Sequence, residues 1–239
     1  MINKIATIFI LFLFYSFIGW LWEVIDKIVE EKKFVNRGFL IGPYCPIYGV
    51  GCTLLTLLLN KYIDNKITLF IYAVIICSIL EYFTSYFMEK IFHARWWDYS
   101  KQKFNLNGRI CAETMIPFGI FGCLIVGYVN PFLLKILSNI NHTVLNYTAL
   151  ILLLIFMLDF SVSFGVIMNF RNTISTLEKD ATEQITKKVR EILSSQGHVY
   201  KRLMDAFPHF KDTREYLLEL SKRINKELIE IDKKIKKKK

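Results

Sequence analysis

The chain has 239 residues, 53% of them hydrophobic and 15% aromatic, with a formal net charge of +10. The apolar residues gather in long blocks rather than in a 3.6-residue stripe, which excludes an ordinary soluble domain. The positive charge borders those blocks and fills the tail, so it does not point to nucleic acid.

The first block, 5–25 (IATIFILFLFYSFIGWLWEVI), is long enough to cross a hydrocarbon core, which takes about 20 residues. It closes on Trp20, Trp22 and Glu23 and has no small-residue cleavage site, so it reads as a retained span. The second block, about 39–59, is broken near its start by Gly42, Pro43 and Pro46. The third, 67–88, carries Glu81 within it and ends at Glu89. A polar loop follows, HARWWDYSKQKFNLNGR (93–109). The fourth block is 114–134, and the fifth, 145–168, holds Asp159 near its middle. After Arg171 charges alternate with spaced Ile, Leu and Val, as on amphipathic helices. Two are predicted, 174–195 and 212–235, separated by a turn at Pro208. The expected fold is an all-α polytopic membrane bundle with five transmembrane helices over 1–170 and a cytoplasmic helical hairpin over 171–239.

Lys and Arg in the short loops set the orientation. The loops after the first and third spans carry Lys27, Lys32, Lys33, Arg37, Lys90, Arg95, Lys101, Lys103 and Arg109. The opposite side carries Lys4, Lys61, Lys66 and Lys135. The expected arrangement in the plasma membrane is N-terminus outside and C-terminus cytoplasmic.

Two stretches resemble each other. NRGFLIGPYCPIYGVGC (36–52) and NGRICAETMIPFGIFGC (107–123) share Asn36/Asn107, Pro46/Pro117, Gly51/Gly122 and Cys52/Cys123 at an offset of 71. Gly/Pro-broken apolar segments at matching positions of two halves are the pattern that marks binding sites in repeat-built transporters. An even number of expected spans separates the copies, so the two hairpin repeats would run parallel. Both would face the cytoplasm.

Ionisable groups inside a bilayer are costly and therefore candidates for function. Glu81 is one, and Glu89 lies two turns further along the same helix face. Asp159, with Ser161 and Ser163 close by, also suits polar packing between helices. The candidate ligand-binding set is Glu23, Asn36, Arg37, Glu81, Glu89, Arg95, Trp97, Asp98, Asn107 and Arg109. Arg and Asn donors beside carboxylates suit an anionic or zwitterionic ligand. Helix starts broken at the cytoplasmic face would add backbone N–H groups. The five cysteines show no metal spacing, and no nucleotide-binding, metalloprotease or serine-hydrolase motif occurs. No cofactor is implied.

GWLWE (19–23), NRGFLIGPYCPIYGVG (36–51), ARWWDYS (94–100), FNLNGR (104–109) and RLMDAFPHFK (202–211) resemble the bacterial family of putative ABC-transporter type IV permeases. That resemblance implies a multi-spanning membrane protein whose energy comes from a separate ATPase subunit. After FNLNGR the chain has CAET where the family is more apolar, which leaves Glu113 without a role. The leading expectation is a transport permease with a cytoplasm-facing site. The alternatives are a membrane-embedded enzyme acting on a lipid headgroup or lipid-linked intermediate, and a sensor or assembly subunit signalling through the tail. Membrane lipids and further copies of the chain are the other expected partners.

Overall fold

The computed structural model describes residues 2–92 and 96–177. Arg95 and nearly all of the expected tail hairpin lie outside the described residues. Six α-helices account for most of the rest: α1 (Ile2–Glu31), α2 (Pro46–Leu59), α3 (Lys66–Phe92), α4 (Ala112–Leu124), α5 (Asn130–Ser138) and α6 (His142–Leu177). Met1–Gly165 form one compact unit, which holds all of the site described below. No strand occurs among the described residues beyond one isolated bridge, Leu106 to Ile110.

Four stretches are long and apolar enough to cross a membrane: Asn3–Glu30, Lys66–Ile91, Ala112–Ser138 and His142–Met168. The expected span over 39–59 is not among them. Only Pro46–Leu59 is helical there, 14 residues in length. At 1.5 Å per residue that helix reaches about 21 Å, short of a hydrocarbon core of roughly 30 Å. Proline explains the loss. Pro43 and Pro46 turn the residues before them away from helical geometry, and Pro43 offers no N–H. Pro46 then opens α2 at the position where a missing N–H costs nothing.

The chain between α1 and α2 doubles back. Lys32, with φ 52°, ends α1 in a left-handed turn, its N–H donating to the Ile28 carbonyl at 2.9 Å. Residues 32–45 then return beside α1 until the Cys45 N–H meets the Ser16 carbonyl at 2.8 Å. Ser16 lies roughly 20 Å inside the end of the apolar stretch at Glu30, by helical rise. The connection from α3 to α4 does the same. Thr114, in the first turn of α4, reaches Glu81, about 15 Å inside the end of α3's apolar stretch. Irregular backbone at such depth persists only where protein or water satisfies it. Leu40, Cys45, Trp96 and Cys111 are buried, so protein supplies much of that cover.

Close helix approach holds the two hairpins. A Cβ on Gly49 of α2 would collide with the Ser16 hydroxyl and the Phe12 carbonyl of α1. One on Gly122 of α4 would collide with Ala73 of α3. Small residues that let backbones meet are the usual device for helix association in lipid. Leu55, Leu59, Leu69, Ala73 and Val126 form the apolar core where α2, α3 and the α4–α5 segment meet.

The expected fourth span, 114–134, is a composite of α4, a π turn over Ile125–Val129, and α5. Pro131 cannot donate to the carbonyl one turn back, and the Asn130 N–H bonds Ile125 instead. Asn130 is buried here. It accepts from the Tyr15 hydroxyl and donates to Thr56 Oγ1 at 2.6 Å, tying α5 to α1 and α2.

Candidate functional site

Each return carries an acid–arginine pair. On the first, Glu23 of α1 faces Arg37 Nε at 3.4 Å. The same carboxylate accepts from the Tyr48 hydroxyl of α2 at 2.6 Å. On the second, Glu89 of α3 pairs with Arg109 Nη2 at 2.7 Å. Arg109 also donates to Ser85 at 3.3 Å and lies over the rings of Tyr82 and Tyr86, at 5.8 and 5.4 Å. Arginine suits such a place, because its planar fork can bond and stack at once.

Glu81 is different. It is 6% exposed and has no cationic partner among the described residues. Tyr99 Oη faces one of its oxygens at 3.2 Å, and Thr114 Oγ1 faces the other at 3.4 Å. Both are longer than the usual O–H···O distance of about 2.5–3.0 Å. Thr114 has a single hydroxyl proton and a nearer acceptor, the Cys111 carbonyl at 3.0 Å. Burial first, then the Glu81 and Glu23 carboxylates, push the Tyr99 hydroxyl well above its ordinary range. Tyr99 therefore stays a donor, and it sits within the field of both acids.

The second return is shaped for these contacts by its turn. Asn107 and Gly108 both have positive φ, 55° and 68°. The Arg109 N–H bonds the Leu106 carbonyl at 3.0 Å across them. Asn-Gly suits a tight turn with two left-handed central residues. The turn aims Arg109 back at α3, while the Asn107 side chain donates to the Tyr82 hydroxyl at 2.9 Å. Trp97 Nε1 donates to the Arg109 carbonyl at 3.0 Å, bracing the turn from outside. Asp98 accepts from the Ser100 N–H at 2.9 Å and folds the exposed start of the loop.

The first return is held from two sides. Asn36 accepts from Trp20 Nε1 at 2.7 Å and donates to the Ile41 carbonyl at 3.0 Å. From α6, the Asp159 carboxylate accepts the Ile41 N–H at 3.0 Å and the Gly42 N–H at 2.7 Å. Ser163 adds its hydroxyl, accepting from Ile41 at 3.1 Å and donating to Asp159 at 2.9 Å. Asp159 thus supplies the acceptors that the broken backbone at 41–42 needs. The two returns touch through Phe39 and Trp96, whose ring centres are 5.8 Å apart.

Of the ten residues singled out from sequence, Glu23, Asn36 and Arg37 come together on the first return. Glu81, Glu89, Trp97, Asn107 and Arg109 come together on the second. Asp98 stays at the exposed edge of its loop, and Arg95 lies outside the described residues. Tyr48, Thr114 and the role of Asp159 are not found from sequence, and Tyr99, visible in the polar loop, is not among the ten. A tyrosine in an apolar block looks like any interfacial aromatic. The Asp159 contacts to Ile41 and Gly42 join residues more than a hundred positions apart. The resembling cassettes are not used alike. Pro46 opens α2, whereas Pro117 lies inside α4. Asn36 braces coil, whereas Asn107 makes a turn. Among the described residues no group of three His, Cys, Asp or Glu side chains is placed to hold a metal ion.

Residues 10–164 match a family model whose description is Putative ABC-transporter type IV. No curated protein and no solved structure matches the chain.

Proposed function

The chain belongs to the putative ABC-transporter type IV family, and from that premise we propose that it is the membrane subunit of a transport system with a polar site at its two returns. The observation that carries this reading is the depth of the returns. Two stretches of non-helical chain run back to mid-helix, at Ser16 and at Glu81, and bring acids, arginines and tyrosines with them. Broken helices whose freed backbone lines a polar cavity are how transporters build ligand sites inside a bilayer. The basic residues flanking both returns favour the cytoplasmic side for that site.

The ligand on this reading is a small anionic or zwitterionic species, met by Arg37 and Arg109 and by the carboxylates beside them. The chain has no phosphate-binding loop, so ATP hydrolysis belongs to a separate subunit.

Two measurements test this. Asn36→Cys and Asn107→Cys proteins are labelled with a membrane-impermeant maleimide in inside-out and right-side-out vesicles. Labelling of both positions from the cytoplasmic side alone is expected, and labelling from the outside would overturn the orientation. Isolation from native membranes in mild detergent is expected to bring an ATPase with the chain and to give ATP-dependent solute flux after reconstitution. Absence of both would remove the permease reading.

A further inference from the structure

The three acids of the returns meet only two arginines among the described residues. Glu23 has Arg37 and Glu89 has Arg109, which leaves Glu81 with neutral hydrogen-bond partners. A buried carboxylate normally has a cation or several short hydrogen bonds, because desolvating the charge is otherwise too costly. Glu81 has one full-time donor, Tyr99, at a long 3.2 Å. A second observation points the same way. The Ser78 hydroxyl, one helical turn from Glu81 on α3, is buried and has no hydrogen-bond partner among the described residues. Buried hydroxyls are rarely left so, and an acceptor without a donor beside it suits an N–H that arrives with a ligand.

The anion-binding half is one turn away. Ser85, on the same face of α3 as Glu81, is the residue that Arg109 bonds. Four residues of helix separate the two by about 6 Å of rise. Arg109 has five N–H donors, and the contacts to Ser85 and Glu89 do not use them all.

We propose that Glu81 and Ser78 bind the ammonium group of a zwitterionic ligand whose anionic group lies one helical turn away at Arg109. This rests on the transport-site reading and narrows its ligand class from anionic or zwitterionic to amine-bearing zwitterions. An ammonium has three donors and would give Glu81 its missing charge and Ser78 its missing partner. The spacing fits an ammonium and a phosphate or carboxylate joined by a two- or three-atom linker. A phospholipid headgroup and a free solute both supply that chemistry.

The test is calorimetric binding to the purified full-length protein with three probes. Phosphoethanolamine is the free zwitterion, inorganic phosphate lacks the amine, and nanodiscs containing phosphatidylethanolamine present the headgroup on a lipid. Phosphoethanolamine is expected to bind more tightly than phosphate. Glu81→Gln is expected to weaken that binding about 30-fold or more while leaving phosphate unchanged, as loss of one partner of a buried charge pair does. Ser78→Ala, a milder change for the fold, is expected to weaken phosphoethanolamine alone by about fivefold. Arg109→Gln is expected to weaken both probes. Saturation by lipid nanodiscs with none by free phosphoethanolamine assigns the ligand to the headgroup, and the reverse assigns it to a solute. Equal binding of phosphate and phosphoethanolamine, untouched by Glu81→Gln and Ser78→Ala, overturns the ammonium site but leaves the transport site standing. Failure of all three probes to bind the folded wild type overturns the ammonium site as well. Cytoplasmic labelling at Asn36→Cys and Asn107→Cys then reports separately on the returns.

Discussion

The Asp159 carboxylate of α6 accepts the Gly42 backbone N–H at 2.7 Å, across 117 residues of chain. With the Ile41 N–H at 3.0 Å, this one side chain satisfies the backbone where prolines break the helical pattern. Asp159→Ala leaves the Gly42 N–H unmet and the Ile41 N–H with Ser163 alone, and hydrogen bonds to a charged group contribute about 1.5–3 kcal/mol each. The expected loss is on the order of 3 kcal/mol in detergent unfolding, with new protease cleavage within 32–45. Asp159→Asn keeps one acceptor and is expected to lose about half as much. An unchanged cleavage pattern in the alanine variant would show that the return is held by other contacts.

Gly49 and Gly165 make a matched pair. At Gly49 a methyl group meets the Ser16 hydroxyl and the Phe12 backbone, so α1 and α2 must separate. Gly49→Ala is expected to cost about 1–3 kcal/mol, the range for overpacking. At Gly165 nothing lies within 4 Å of an added Cβ. There alanine is expected to be neutral, or to stabilise by about 0.5–1 kcal/mol through helix propensity. Thermal unfolding of the two variants in one detergent reads the difference.

Tyr99→Phe removes the donor that faces Glu81. A loss of about 1 kcal/mol is expected at neutral pH. The sign with pH follows from the raised Tyr99 hydroxyl. Folded protein holds this proton more tightly than the unfolded chain does. The stabilisation is therefore full below the ordinary tyrosine value of about 10 and is lost as pH rises from there towards the folded value. Unfolding of wild type and variant, compared from neutral pH to about pH 11, is expected to show the gap narrowing only above pH 10. A gap that narrows below pH 8 would contradict the placement of this hydroxyl.

Arg109→Lys keeps the charge and loses the fork. A lysine can meet Glu89 or Ser85 but cannot also lie flat over Tyr82 and Tyr86. A destabilisation of about 1–2 kcal/mol is expected, most of it unaffected by salt. Strong recovery of stability at low ionic strength would assign the role to charge alone.

Much of this architecture is written in the residues. Four apolar blocks declare the four helical stretches long and apolar enough to cross a membrane, and Glu81 is conspicuous as an acid inside one of them. The carboxylate–arginine character of the returns is equally visible in Glu23, Arg37, Glu89 and Arg109. The second block misleads because hydropathy measures apolarity and not helicity. Residues 39–45 are apolar and buried in part, yet they run as coil under the control of Pro43 and Pro46. The internal match misleads in register. The returns align at their helix-starting cysteines, Cys45 and Cys111, whereas the identities align Asn36 with Asn107. Tyr48 is silent because nothing local distinguishes a tyrosine that meets a carboxylate from one that meets lipid, and Tyr99 stands out in its polar loop without showing which acid it meets.

The π turn at Ile125–Val129 bears on how this chain can change over time. Such a turn holds one residue more than regular helix needs, so α4 and α5 already absorb a single-residue insertion. Losing that residue would restore an ordinary turn while leaving Gly122 against Ala73 and Asn130 towards Tyr15 and Thr56. Elsewhere in a spanning helix the same loss rotates everything beyond it by about 100°. Gaps of one residue in alignments of related chains are therefore expected to collect at this turn, and to spare α1 and α3.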